Sequence, residues 1–197
     1  MTDVNQGPPE SHRLISAAQA GDSNAFAQLL ARHYDSIFRF AYRWCGHRSD
    51  AEDITQLACI KLAQSISQFR FEAAFSSWLY RLVINCAKDW YKSQQRHKPL
   101  HNQVEIDSLD ENNMAEASVE HTGENTIYLR QLLQQLDRFA DGFKETALLV
   151  YSEGLTHAEA AEILQLKEST VSWRLHEIRK QLQQLQVRGD GSWEVSL

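Results

Sequence analysis

The sequence predicts an all-α protein made of two helical domains joined by a flexible linker. Three observations carry that expectation. Apolar residues recur at three- and four-residue steps through most of the chain, and prominent β-branched runs of period two are absent. From Pro99 to Glu124 the periodicity lapses, and seven acidic residues (Glu105, Asp107, Asp110, Glu111, Glu116, Glu120, Glu124) stand there without a Lys or Arg. That stretch also carries Asn, Ser, His and Gly, and it reads as a linker. Beyond it, Leu155 to Lys180 has the pattern of a helix-turn-helix. The expected divisions are a polar tail 1–10, a first helical domain 11–98, the acidic linker 99–124, a second helical domain 125–186 and a tail 187–197.

In the first domain, Ser11 to Ala20 gives a short helix stopped by Gly21-Asp22. Asp22 or Ser23 caps a long second helix to about Cys45, with Phe26, Leu29, Leu30, His33, Ile37, Phe40, Ala41 and Trp44 at helical spacing and Gly46 ending it. Ser49 or Asp50 caps a third helix to about Ser67, whose apolar stripe is Ile54, Leu57, Ala58, Leu62 and Ile66. Asp50, Glu52, Asp53 and Gln56 crowd its first turns. The helix dipole alone favours acids there, and a partner-binding surface is the other reading. The fourth helix, about Glu72 to Gln95, aligns Phe75, Trp78, Leu79, Leu82, Val83, Cys86 and Trp90 on one face. Arg81, Asn85, Lys88, Lys92 and Arg96 follow one another on a second face, with Phe69, Phe71, Tyr80 and Tyr91 interleaved nearby. Cations beside aromatic rings suit unstacked nucleic acid; an amphipathic helix with solvated cations has the same pattern.

In the second domain, Thr156 is placed to cap a helix, with Glu159 completing a capping box. Ala161 is small where a second helix crosses closely, and Leu164 and Leu166 straddle a short break. Ser169 or Thr170 then caps a longer helix whose Val171, Leu175 and Ile178 share one face. Ser172, Trp173, Arg174, His176, Glu177 and Lys180 are left to face outward. A helix pair of this shape places its second member in a DNA major groove.

The net charge of −6 looks unsuited to a nucleic-acid binder until it is located: with the seven acids of the linker set aside, the remainder stands at +1. No apolar run approaches a membrane span, and Met1 to Glu10 is polar, so a cytoplasmic protein without membrane insertion is expected. Cys45, Cys59 and Cys86 lie far apart in helical patterns and read as reduced, apolar-like thiols, and the histidines show no metal-ligand spacing. No nucleophile–base pair or phosphate-cradling glycine loop points to an enzyme, and no cofactor or metal is expected.

Taken together, four segments resemble the extracytoplasmic-function (ECF) group of bacterial sigma factors, within the sigma-70 family, over most of the chain. Leu14-Ile15-Ser16-Ala17-Ala18-Gln19-Ala20-Gly21-Asp22 is similar to the opening of the first conserved sigma domain. Asp50-Ala51-Glu52-Asp53-Ile54-Thr55-Gln56 is similar to its DAED-containing polymerase-binding motif, and Trp78-Leu79-Tyr80-Arg81-Leu82-Val83-Ile84-Asn85 to its promoter-melting helix. The carboxy-terminal helix-turn-helix resembles the domain that reads the -35 element. The resemblance implies a sigma2-like four-helix domain and a sigma4-like domain. It implies that Asp50, Glu52, Asp53 and Gln56 meet the clamp helices of the polymerase β′ subunit, and that the β flap is a further polymerase contact. Ser67 to Phe75 matches the loop that accepts a flipped base of the -10 element. Phe69, Arg70, Phe75, Arg81, Asn85, Lys88, Lys92 and Arg96 are then the expected -10 binding and melting residues. Ser169, Thr170, Ser172, Trp173, Arg174, His176, Glu177 and Lys180 are the expected -35 residues. Core RNA polymerase, promoter DNA and an anti-sigma factor are the implied partners.

The chain departs from the family pattern at several positions. Leu57 stands where a second acid usually follows Gln56, Gln165 where the turn favours Gly, and Ser172 and Glu177 where basic residues are common. Trp173 replaces a small residue. An unusual -35 sequence, or a weak contribution from that element, is expected. A stand-alone helix-turn-helix regulator would explain Thr156 to Lys180 and leave Asp50 to Gln56 and Phe75 to Asn85 without a role. A sigma-like interaction protein that does not initiate transcription is the third alternative.

Overall fold

In the computed structural model, the described residues are 10–97, 136 and 140–188, and every regular element among them is helical. The first group is α1 (Glu10–Gln19), α2 (Ser23–Cys45), α3 (Arg48–Ser65) with a 3-10 turn (Ile66–Gln68), and α4 (Phe75–His97). The second is α5 (Phe143–Ala147), which runs into one π-helical turn (Leu148–Ser152), then α6 (His157–Leu164) and α7 (Glu168–Arg188). The expected tails and the linker 99–124 lie outside the described residues.

Local chemistry sets most of the boundaries. Asp22 caps α2: its Oδ1 accepts from the backbone N–H groups of Asn24 at 2.9 Å and Ala25 at 3.1 Å. Gly46 ends the same helix in the left-handed region at φ 74°, where a Cβ is unfavourable. Three expected starts are displaced. α3 begins at Arg48 after His47, which makes no side-chain cap, so Ser49 and Asp50 lie inside its first turn. There the Asp50 charge still favours the helix dipole. α4 begins at Phe75 rather than near Glu72, after a loop in which Phe71 has a left-handed backbone at φ 59°. α7 begins at Glu168, which puts Ser169 and Thr170 in its first turn instead of at its cap.

The capping box of α6 is formed as expected. The Thr156 backbone N–H donates to Glu159 Oε2 at 2.8 Å, and the Glu159 N–H donates to Thr156 Oγ1 at 3.2 Å. The Thr156 hydroxyl also donates to Glu159 Oε2 at 2.7 Å, and this bond first, then the backbone one to the same carboxylate, holds the Glu159 carboxyl below its usual range. Gln165 closes α6 at φ 56° and ψ 44°, the left-handed geometry for which glycine is the unstrained residue.

Ile15, Leu29, Ile37, Phe40, Ile54, Leu62 and Val83 are buried at the centre of the first group, and Leu149, Ile163, Val171, Leu175 and Ile178 at the centre of the second. Truncating one of these to Ala costs about 2–5 kcal/mol. Leu57, expected in the α3 core stripe, is instead 39% exposed. α3 packs on α2 and α4, and its buried side is that of Ile54, Ala58 and Leu62, which leaves Leu57 turned outward. The two groups are packed together: α6 lies against α4, and the π turn against α2.

Candidate nucleic-acid interface

On α3 the expected polymerase-binding residues do share a surface. Glu52, Asp53 and Gln56 are exposed and Asp50 is half-buried. Glu52 is engaged locally, accepting from Arg48 Nε at 3.0 Å. Past this acidic end the same face continues into Leu57 and Ile60, the latter 54% exposed. Ile60 was not among the expected surface residues, and Leu57 belonged to the expected core stripe. Their signal was an apolar pair one turn beyond the acids, where the helix needed no further core residue.

The loop between α3 and α4 has a buried half and an outward half. Phe69 is only 6% exposed and sits among Phe71, Phe75 and Trp78, with ring centroids 4.9, 5.3 and 5.6 Å away. It is a core residue of the loop, and the expectation that it touches DNA is corrected accordingly. Phe75 is half-buried in the same cluster. Phe71 takes the outward place: 36% exposed, left-handed in backbone, and tilted against His12 at 5.0 Å. His12, Arg13, Ser16 and Phe71 line a shallow depression, and Arg70 is exposed beside it. Gln19 holds the loop in shape, its Nε2 donating to the carbonyls of Ile66 at 2.9 Å and Phe69 at 2.7 Å. A bulky residue in the left-handed region is strained, and such strain concentrates at working sites. Phe71 stood among the interleaved aromatics but outside the expected -10 residues, and Gln19, His12 and Arg13 were not expected as its surroundings.

The cation face of α4 divides. Asn85 and Lys92 are exposed, and Arg96 lies outside the described side chains. Arg81 and Lys88 reach across to the second group of helices. Arg81 donates from Nε to the Ile163 carbonyl at 2.9 Å and from Nη2 to the Glu162 carbonyl at 2.7 Å, at the carbonyl end of α6. Cations are favoured at that end of a helix dipole. Lys88 pairs with Glu145, whose side chain is 3% exposed. Ile84, between them on the same face, is buried. The expectation that Arg81 and Lys88 face DNA is therefore corrected for this arrangement of the chain: the face is covered by its own second half.

Further contacts tie the halves. Glu153 accepts from Arg43 Nη1 at 2.7 Å through one oxygen and from the Tyr80 hydroxyl at 2.7 Å through the other. Burial first, and then this bond to a carboxylate, push the Tyr80 phenol up from its ordinary pKa. Lys144 lies over the Trp44 ring at 5.4 Å. The cysteines are free thiols, and burial pushes those of Cys45 and Cys86 up to about 11, which keeps them protonated and unreactive near neutrality.

Helix α7, the second helix of the pair, also divides. Ser169, Trp173, His176 and Lys180 are exposed and form one outward stripe; Thr170 is half-buried beside it. Three residues expected on that face are engaged elsewhere. Ser172 meets His157 at 2.9 Å between Oγ and Nδ1. Glu177 accepts from Gln181 at 2.8 Å. Arg174 turns back onto α5, where its Nη1 donates to the Gly142 carbonyl at 3.1 Å and its guanidinium lies over the Phe143 ring at 5.8 Å. A Cβ at Gly142 would come within 2.3 Å of that guanidinium, so the glycine and the arginine fit one another.

Residues 29–97 match the family model for sigma-70 region 2. The chain is 28% identical over 174 residues to the ECF RNA polymerase sigma-E factor of Haemophilus influenzae, covering 86% of this chain and 92% of that protein. It is 29% identical over 179 residues to the ECF RNA polymerase sigma factor SigW of Bacillus subtilis, covering 87% and 96%. Its fold is similar to that of CnrH, solved in complex with the cytosolic domain of CnrY, with a TM-score of 0.64 at 22% identity over 92% of this chain and 99% of that one. It is also similar in fold to the sigma factor RpoE of Bartonella quintana, solved with the anti-sigma factor NepR, with a TM-score of 0.56 at 19% identity over 84% and 98%.

Proposed function

We infer that this chain is an ECF sigma factor of the sigma-70 family, a bacterial transcription initiation factor that binds core RNA polymerase, recognises promoter DNA and promotes its melting. The observation that carries the reading is the union, in one chain, of a region-2 match over 29–97 with a capped helix-turn-helix over 156–188, in a chain that aligns over 86–87% of its length with ECF sigma factors. A stand-alone DNA-binding regulator would leave the first of these without a role.

The geometry supports a division of labour. The α3 face, acidic at Glu52 and Asp53 and apolar at Leu57 and Ile60, is the docking surface for polymerase. The loop carrying Arg70 and Phe71, with Asn85 on α4, takes an extruded base of the -10 element. Extruding a base costs a few kcal/mol, and aromatic stacking returns about 1–3 kcal/mol per base, so binding alone drives melting. This role asks for no catalytic residue or cofactor in the chain. Helix α7 docks the -35 element. CnrH and RpoE were each solved with a protein that binds them, and an anti-sigma partner is proposed for this chain by the same analogy.

Asp53→Lys combined with Ile60→Asp tests the docking surface. Both residues are exposed, so the fold should survive, and affinity for core polymerase should fall at least tenfold. Unchanged affinity would remove α3 from the polymerase contact.

A further inference from the structure

We propose that Trp173 is the sequence-reading residue of the upstream promoter contact, and that it reads the 5-methyl group of a thymine. The proposal rests on α7 being the recognition helix, and it goes beyond that reading by assigning what the helix selects.

The outward stripe of α7 carries a hydroxyl, an indole, an imidazole and an amine, at Ser169, Trp173, His176 and Lys180, and no guanidinium. Arg174, the one arginine in the first half of the helix, is bonded to Gly142 and Thr146 and turned onto Phe143. Arg179, exposed nearly two turns beyond Trp173 and off that stripe, donates its Nε to the Leu175 carbonyl at 3.3 Å, so the stripe itself offers no forked arginine for guanine. Trp173 is the largest exposed group on the stripe, at 56%, and it falls in the first turns of the helix, where such helices meet base edges. Lys180 comes two turns later, where a phosphate is the natural partner.

The indole is not a loose side chain. It packs edge-on against Phe143, with centroids 5.6 Å apart and an interplanar angle of 66°. Phe143 is itself buried, with the Arg174 guanidinium over its ring. A held aromatic loses little freedom on binding. Its exposed apolar face finds one apolar group in the major groove, the thymine methyl. Arg174 then acts as a positioning residue, spending its charge on Phe143 and the α5 start so that the ring beside it stays fixed.

The full chain, assembled with core RNA polymerase, is presented with duplex promoters randomised across the upstream element. Each thymine of the selected duplexes is then replaced in turn by deoxyuridine, which removes only the methyl. At least one position should select thymine, and deoxyuridine there should weaken binding about fourfold, the value of one methyl group. Trp173→Ala should lose both the preference and the deoxyuridine effect, while Trp173→Phe, which keeps an apolar ring, should retain them. The proposal is overturned if Trp173→Ala selects the same sequence with the same deoxyuridine sensitivity, or if the unaltered chain selects no thymine. A Trp173→Ala defect confined to polymerase capture also overturns it, since the ring would then face protein. Failure of the unaltered chain to join core polymerase overturns the sigma-factor reading and this proposal together.

Discussion

Lys88 on α4 pairs with Glu145 on α5 across the boundary between the two halves of the molecule. The carboxylate side chain is 3% exposed and the ammonium side chain 41%, so the pair is asymmetric. Removing the lysine strands a buried charge. Lys88→Ala should therefore cost about 1–3 kcal/mol of docking, seen as a rise in the radius of gyration by small-angle scattering. Lys88→Met with Glu145→Leu replaces the pair by apolar groups and should restore the compact form. A compact Lys88→Ala chain would show that the pair does not hold the halves together.

Glu153 collects Arg43 and Tyr80 at a second point of the same boundary. Glu153→Ala should loosen it and release Arg81 and Lys88 for nucleic acid. The free variant should bind single-stranded -10 DNA several-fold more tightly. Its plot of log affinity against log salt should steepen by about 0.7 for each released cation. An unchanged slope would mean that these cations meet no phosphate.

Gln165 holds a left-handed backbone at φ 56° and is exposed, so its side chain has little packing to lose. Gln165→Gly should stabilise the second group by about 0.5–1 kcal/mol after the added freedom of the unfolded chain is set against the relief of strain. Gln165→Val, β-branched, should destabilise it. Thermal unfolding of the two variants gives the sign directly.

His33 is half-buried beside Phe75, at 5.2 Å between rings, and desolvation first, then the neighbouring Arg32 charge, lower its pKa from 6.5. The unfolded chain thus binds the proton more readily than the folded one. Stability from this residue is present above pH 6.5 and is lost as the pH falls from there toward the lowered folded value. Denaturant titrations between pH 7.5 and 5.5, chosen to bracket that window, should show the decline in the native chain and a flatter profile in His33→Gln. Parallel profiles would assign the decline to other groups.

Much of the fold was legible from local chemistry. Asp22, Gly46 and the Thr156–Glu159 box mark helix ends through bonds made within a few residues, and the Val171, Leu175, Ile178 face is a simple periodicity. The site was less legible, because its exposure depends on distant partners. Arg81 and Lys88 read as a solvent-facing stripe until α5 and α6 cover it. Phe69 and Phe71 have the same side chain, and only the backbone of the loop decides which one turns inward. Arg174, expected on the outward face, is drawn away from it by Gly142 and Phe143, more than thirty residues earlier, which no helical period reveals.

Transcription in vitro with purified core polymerase tests the promoter-opening role most directly. Addition of the chain should produce transcripts from discrete start sites, with permanganate-reactive thymines just upstream, and Asn85→Ala should reduce that reactivity while core binding persists. A chain that binds core polymerase and yields neither start-specific transcripts nor melted thymines, or one that does not bind it, would contradict the sigma-factor assignment.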